Sequence, residues 1–142
     1  MAPKLCVVDT NVVVSALIGA DASSPPARIL DAMIVGKFPY LMSDDLLLEY
    51  ASVLRRPGIV RMHGRTDEQL DGLLADLVAN ALWRVPSGSH DAPHRGDDHL
   101  WALLGGETQG LLVTGDRLLL QNPPSNASVV SPRVFVDTFL SD

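Results

Sequence analysis

Four acidic residues, Asp9, Glu49, Asp98 and Asp116, stand where a folded chain could gather them. Asp9 directly follows the apolar run Leu5-Cys6-Val7-Val8, and Asp116 follows Leu111-Leu112-Val113 through Thr114-Gly115. Asp98 opens an amphipathic stretch, and Glu49 lies inside another. Converging carboxylates repel one another, and some must take up protons unless a cation sits among them. Hard Mg²⁺ or Mn²⁺ prefers such oxygen ligands. Ions of this kind activate water and stabilise the leaving oxygen of a phosphodiester, so metal-assisted phosphodiester hydrolysis is the chemistry open to this set. Structural zinc is a poor fit: Cys6 is the sole cysteine, and His63, His90, His94 and His99 show no ligand spacing with it. Each acid also has a plainer reading on its own. Asp9 and Asp98 suit helix N-caps, Asp116 suits a turn, and Glu49 suits a surface position with its stem over the core.

The elements that must position these acids follow an alternation of apolar runs and amphipathic segments, the pattern of an α/β domain with a parallel sheet. Leu5–Val8 reads as a strand buried on both faces, and Thr10–Ile18 as a short helix after it. Pro25 and Pro26 suit the first turn of a second helix ending near Gly36. Phe38–Met42 reads as a strand. Ser43 caps a helix with Asp44 and Asp45 in its first turn, running to about Arg56. In that helix Leu46, Leu47, Tyr50, Val53 and Leu54 form the apolar arc, and Glu49 lies just outside one edge, where its carboxylate can be directed over the sheet. Thr66 and Gln69 form a capping-box pattern for a helix to about Ala81. Trp83–Val85 reads as a brief strand, and 86–96 as loop. Asp97 or Asp98 opens a helix to about Leu104. Leu111–Val113 reads as a second fully apolar strand, Val129–Val130 as a last one, and Ser131-Pro132 starts a closing helix to about Leu140. If the two apolar strands are neighbours, Asp9 and Asp116 face one crevice beyond their carboxyl ends.

The 142 residues suit a single domain spanning 1–142. The stretch Leu5–Ile18 resembles a targeting segment, but Asp9 and Asn11 inside it oppose insertion, and no run is long enough to span a membrane. A lone cysteine excludes an intrachain disulfide and fits a reducing, cytoplasmic setting. Cys6 itself reads as a small buried hydrophobe. The net charge of −6 argues against a simple nucleic-acid coat, but not against a nuclease whose carboxylates hold metal, and it leaves room for a basic partner. Arg55, Arg56, Arg61, His63 and Arg65 form the most basic stretch, read as a helix end and flexible loop. Its arginines either grip an RNA backbone or simply favour a helix C-terminus. Trp83 and Trp101 neighbour core positions, so burial is expected over base stacking. Leu30, Ile34 and Leu54 suit either a partner surface or the core.

The local sequences around the acids resemble the PIN-domain family. Val7-Val8-Asp9-Thr10-Asn11, followed by an apolar helix, is similar to its opening signature. Ser43–Tyr50 with Val53-Leu54-Arg55-Arg56-Pro57 resembles the helix bearing its glutamate. Asp97-Asp98-His99-Leu100-Trp101-Ala102-Leu103 and Val113-Thr114-Gly115-Asp116-Arg117 resemble its third and fourth motifs. The ending Ser131-Pro132-Arg133-Val134-Phe135 is similar to that of one branch, the toxin components of type II toxin–antitoxin modules.

The resemblance implies a three-layer α/β/α sandwich with a central, mostly parallel five-stranded sheet. It also implies a Mg²⁺- or Mn²⁺-dependent ribonuclease with Asp9, Glu49, Asp98 and Asp116 as the acidic site and Asp97 as a further ligand or outer acid. Thr10, Asn11 and Thr114 would orient carboxylates or water, and the toxin branch implies an antitoxin partner and a homodimer. In two places the chain departs from the family pattern: His94 stands where an acid is frequent, and Leu118 where a polar residue is. A metal-dependent DNA nuclease shares the acidic architecture, although this chain looks short for added DNA-gripping elements. A non-catalytic PIN-like module binding RNA or protein is the alternative outside enzymes. A phospho-aspartate receiver or dehalogenase-like phosphatase fits less well. Asn11 stands where the latter needs a second aspartate, and Lys4 and Lys37 are the only lysines.

Overall fold

The computed structural model describes residues 5–85, 98–105, 110–124 and 127–140. Its strands are β1 (Cys6–Val8), β2 (Leu41–Met42), β3 (Leu82–Trp83), β4 (Gly110–Val113) and β5 (Ala127–Val130). Between them lie α1 (Thr10–Ile18), α2 (Pro25–Ile34), α3 (Asp44–Leu54), α4 (Pro57–His63), α5 (Asp67–Ala79), α6 (Asp98–Leu104) and α7 (Arg117–Gln121). Helix α8 (Pro132–Phe135) follows β5 and passes into a π-helical turn, Val136–Leu140.

Strands β1, β4 and β5 form one parallel sheet in the order β1-β4-β5, and β2 pairs with β3 in another. A bridge between Cys6 and Tyr40, with the Cys6 N–H donating to the Pro39 carbonyl at 3.2 Å, joins the two. The strands therefore run as a parallel set ordered β3-β2-β1-β4-β5, and the chain is an α/β domain of the expected class. The order follows from composition. Every residue of β1 and β4 is buried, so these strands need cover on both faces and take the centre. Pairing of Val8 with Val113 aligns their carboxyl ends. The chain leaves β1 toward β2 on one side and returns through β4 on the other, so strand order reverses between β1 and β4.

Local signals set most helix starts. Ser24 accepts from the Ala27 N–H at 3.3 Å ahead of Pro25 and Pro26, and Ser43 accepts from the Leu46 N–H at 3.2 Å. Thr66 and Gln69 exchange both capping-box bonds, at 2.9 and 3.1 Å. Tyr40 donates its hydroxyl to the Leu77 carbonyl at 2.6 Å and so pins the end of α5 to β2. Cys6 is fully buried, and Leu30 and Leu54 belong to the core.

Three expectations need correction. The basic stretch after Arg56 is a helix, α4, instead of a flexible loop. Pro57 supplies its first turn, and Gly64 at φ 66 ends it by donating to the Val60 carbonyl at 2.8 Å. Trp83 is 41% exposed, because among the described residues β3 pairs with β2 alone, whereas Trp101 is buried as expected. The closing helix changes hydrogen-bonding pattern at Val136, where Phe135 turns inward against Phe38 with ring centroids 5.0 Å apart.

Candidate active site at the strand-order reversal

Asp9 lies at the carboxyl end of β1 and is 5% exposed. Its Oδ1 accepts from the Thr10 N–H at 2.7 Å, so the residue does serve as the N-cap of α1. Its Oδ2 is held separately: Thr114 donates its hydroxyl at 2.8 Å and the Asn11 amide donates at 3.2 Å. The helix cap and the contacts to Thr114 and Asn11 thus use different oxygens of one carboxylate.

Thr114 sits at the end of β4 with 0% exposure. Besides donating to Asp9, its hydroxyl accepts from the Asn11 amide at 3.2 Å and the Asp116 N–H at 3.0 Å. Asn11 in turn accepts from the Gly115 N–H at 3.0 Å. This network links the chain after β1 to the chain after β4 and fixes the backbone of Asp116. Asp116 caps α7 through Oδ1, which accepts from the Leu118 N–H at 2.8 Å. Leu118 therefore contributes its backbone here, while its side chain is exposed.

Glu49 reaches the same cleft from α3. The Thr10 hydroxyl donates to its Oε1, and its Oε2 lies 2.8 Å from His99 Nε2. The His99 hydrogen bond is the main influence holding this carboxyl below the usual glutamate range. Partial burial opposes it, while Thr10 and the positive charge of Arg56 assist. Next to Glu49, Tyr50 is fully buried and donates its hydroxyl to the Val8 carbonyl, tying α3 to the end of β1. Burial, and then the negative charge of Asp9, push its phenol well above the usual tyrosine range.

A cleft of about 440 Å³ is bordered by Asp9, Thr10, Asn11, Glu49, Arg56 and Asp116, among others. Three of the four expected acids therefore come together. Asp98 opens α6, but its side chain, like Asp97 and His94, lies outside the described residues. Of the expected cations, Arg56 reaches the cleft. Arg55 instead pairs with Asp71 and, at 3.5 Å, with Asp67 on α5, and Arg61 lies in the last turn of α4. His99 was not among the expected site residues. A histidine beside Asp98 gives no metal-ligand spacing of its own, and only the packing of α6 against α3 brings it to Glu49.

The donor set suits a hard divalent cation. The acids facing the cleft offer carboxylate oxygens and no sulfur. Glu49 uses one acceptor position on each oxygen for Thr10 and His99, leaving about two lone-pair sites for an ion or water. Among the described residues, no three or more His, Cys, Asp or Glu side chains close on a single point tightly enough to hold an ion by themselves.

The sequence pattern of the PIN domain family matches residues 6–118, which include all four expected acids, and the chain belongs to that family. PIN domains have a nuclease-type fold, act on nucleic acid and are generally metal-dependent. No curated protein matches the chain. No helix among the described residues is long and apolar enough to cross a membrane.

Proposed function

We propose that the protein is a metal-dependent endoribonuclease and the toxin of a type II toxin–antitoxin module, acting in the cytoplasm as one domain over residues 1–142. The observation that carries the enzymatic part is the meeting of Asp9, Glu49 and Asp116, from three distant stretches of sequence, on one cleft at the strand-order reversal. Ligand sites in open parallel sheets form at such points. The RNA and toxin parts rest on the likeness of Ser131–Phe135 to the toxin branch. A homodimer and an antitoxin partner belong to the same reading.

In this reading Asp9, Glu49, Asp98 and Asp116 hold Mg²⁺ or Mn²⁺, with Asp97 as a further ligand. When bound, the ion supplies charge neutralisation for the phosphate and lowers the pKa of a water. The chain's own residues do the positioning. Thr114 and Asn11 hold Asp9 by one oxygen, Thr10 holds Glu49, and Thr114 fixes the backbone of Asp116. Arg56, which lines the cleft, would pair with a non-bridging phosphate oxygen.

The test is cleavage of a mixed panel of structured and single-stranded RNAs, with matched DNA strands, in Mn²⁺ or Mg²⁺. Wild type should cut RNA only with metal, and Asp9→Asn and Asp116→Asn should each abolish cutting. Cleavage that survives both substitutions would show that the site lies elsewhere, and preference for the DNA strands would favour the DNA-nuclease reading. A second reading, an RNA- or protein-binding module without catalysis, draws on the departures from the family pattern at His94 and Leu118. RNA binding without cutting or Mn²⁺ uptake would favour it.

A further inference from the structure

Among the described residues, Glu49 is the one cleft acid supplied by a helix interior, and no strand end fixes its direction. Its side chain must be aimed by its neighbours. The Thr10 hydroxyl on α1 engages Oε1, and the His99 ring on α6 engages Oε2 at 2.8 Å, so each oxygen is held from a different element. His99 is itself largely buried, with 14% of its side chain exposed, so the bond sits at the packed junction of α3 and α6. We propose that His99 is a positioning residue for Glu49: its Nε2 donates to Oε2 and, with Thr10 opposite, sets the carboxylate in the orientation from which it binds a divalent cation.

Chemistry supports an orienting role over simple packing. An apolar side chain could fill the junction, but only a donor can direct a carboxylate. Donors behind ligating carboxylates fix their geometry, and their loss costs about 10–100-fold in metal affinity. The bond also ties the first turn of α6, whose backbone starts at Asp98, to the helix that carries Glu49. One contact thus registers two acid-bearing elements against each other.

The inference rests on the metal-binding reading above, so its test reads metal uptake directly. Calorimetric Mn²⁺ titration of the full chain compares wild type, His99→Leu and His99→Gln, with thermal melts to confirm folding. Glutamine presents an amide N–H about where imidazole Nε2 stands. His99→Leu should weaken Mn²⁺ binding about 10–100-fold, and His99→Gln should recover most of that loss. Equal affinity in wild type and His99→Leu, or equal weakness in both variants, overturns the positioning role while leaving the metal site standing. A wild type that takes up no Mn²⁺ overturns the metal reading and this inference together. If His99→Leu does not fold, ring-nitrogen NMR of the wild type decides. Saturating Mg²⁺ should move the His99 resonances, and unmoved resonances refute the role.

Discussion

At the residue scale, the two neighbouring arginines separate a site role from a packing role. Arg56 borders the cleft, whereas Arg55 is engaged by Asp67 and Asp71 on α5. Arg56→Ala should weaken RNA binding and flatten its salt dependence, because a phosphate contact is lost. Arg55→Ala should leave RNA affinity unchanged and cost at most about 1 kcal/mol of stability, the scale of an exposed pair. Filter binding across a salt series, with urea melts of both variants, checks the contrast. Equal effects on RNA binding would remove the distinction. Thr114 makes a second case. Thr114→Val keeps the shape but removes a donor to Asp9 and an acceptor for Asn11 and the Asp116 N–H. With the buried Asp9 carboxylate short of one donor and the part-buried Asp116 N–H short of its acceptor, stability should fall by about 1–3 kcal/mol, measured by urea unfolding.

At the scale of the element, two glycines end helices in the left-handed region, and they differ in what surrounds them. Gly36 has φ 70, and a Cβ there would stand 3.0 Å from Asn80 Oδ1, an atom of the side chain that bonds the Ile34 carbonyl at 2.9 Å. Gly64 has φ 66 and open space around the same position. Both alanine substitutions should cost about 1–2 kcal/mol for the backbone alone. Gly36→Ala should cost more, because Asn80 must move and its cap on α2 weakens. Thermal melts of the two variants test the order, and a larger loss at Gly64 would contradict it. The same logic explains α4: a proline at the start and a permissive glycine at the end make a helix of a stretch whose sequence reads as a helix end and flexible loop.

For the whole molecule, burial of weak acids in the core sets the response to alkali. Burial pushes the Cys6 thiol from 9.0 up to about 12, and burial chiefly pushes the Tyr40 phenol from 10.0 up to about 12. Between those limits the folded chain keeps protons that the unfolded chain releases. Stability from these groups is therefore intact below pH 9, and falls as pH rises through the window toward 12. The slope approaches about 1.4 kcal/mol per pH unit for each group. Urea midpoints measured from pH 8 to pH 11 should drop in wild type. They should drop less steeply in Cys6→Ala, which starts less stable because it loses buried volume. Parallel slopes would show that Cys6 does not titrate as described.

Much of this molecule was legible in one dimension because the controlling forces are local. Continuous apolar runs identified β1 and β4 as central, caps at Ser43 and Thr66 placed helix starts, and Asp9 and Asp116 were marked by following buried strands. Since strand ends in a parallel sheet share an edge, those two acids had to meet once their strands paired. The tertiary structure decided what depends on angles between elements. It alone set Arg56 at the cleft while turning Arg55 toward α5, left Trp83 exposed on β3, and brought His99 to Glu49. Periodicity tells which face of a helix is buried, but not which side chain of another helix it will meet. That is settled by packing, where bonds such as Glu49–His99 span 50 residues of sequence.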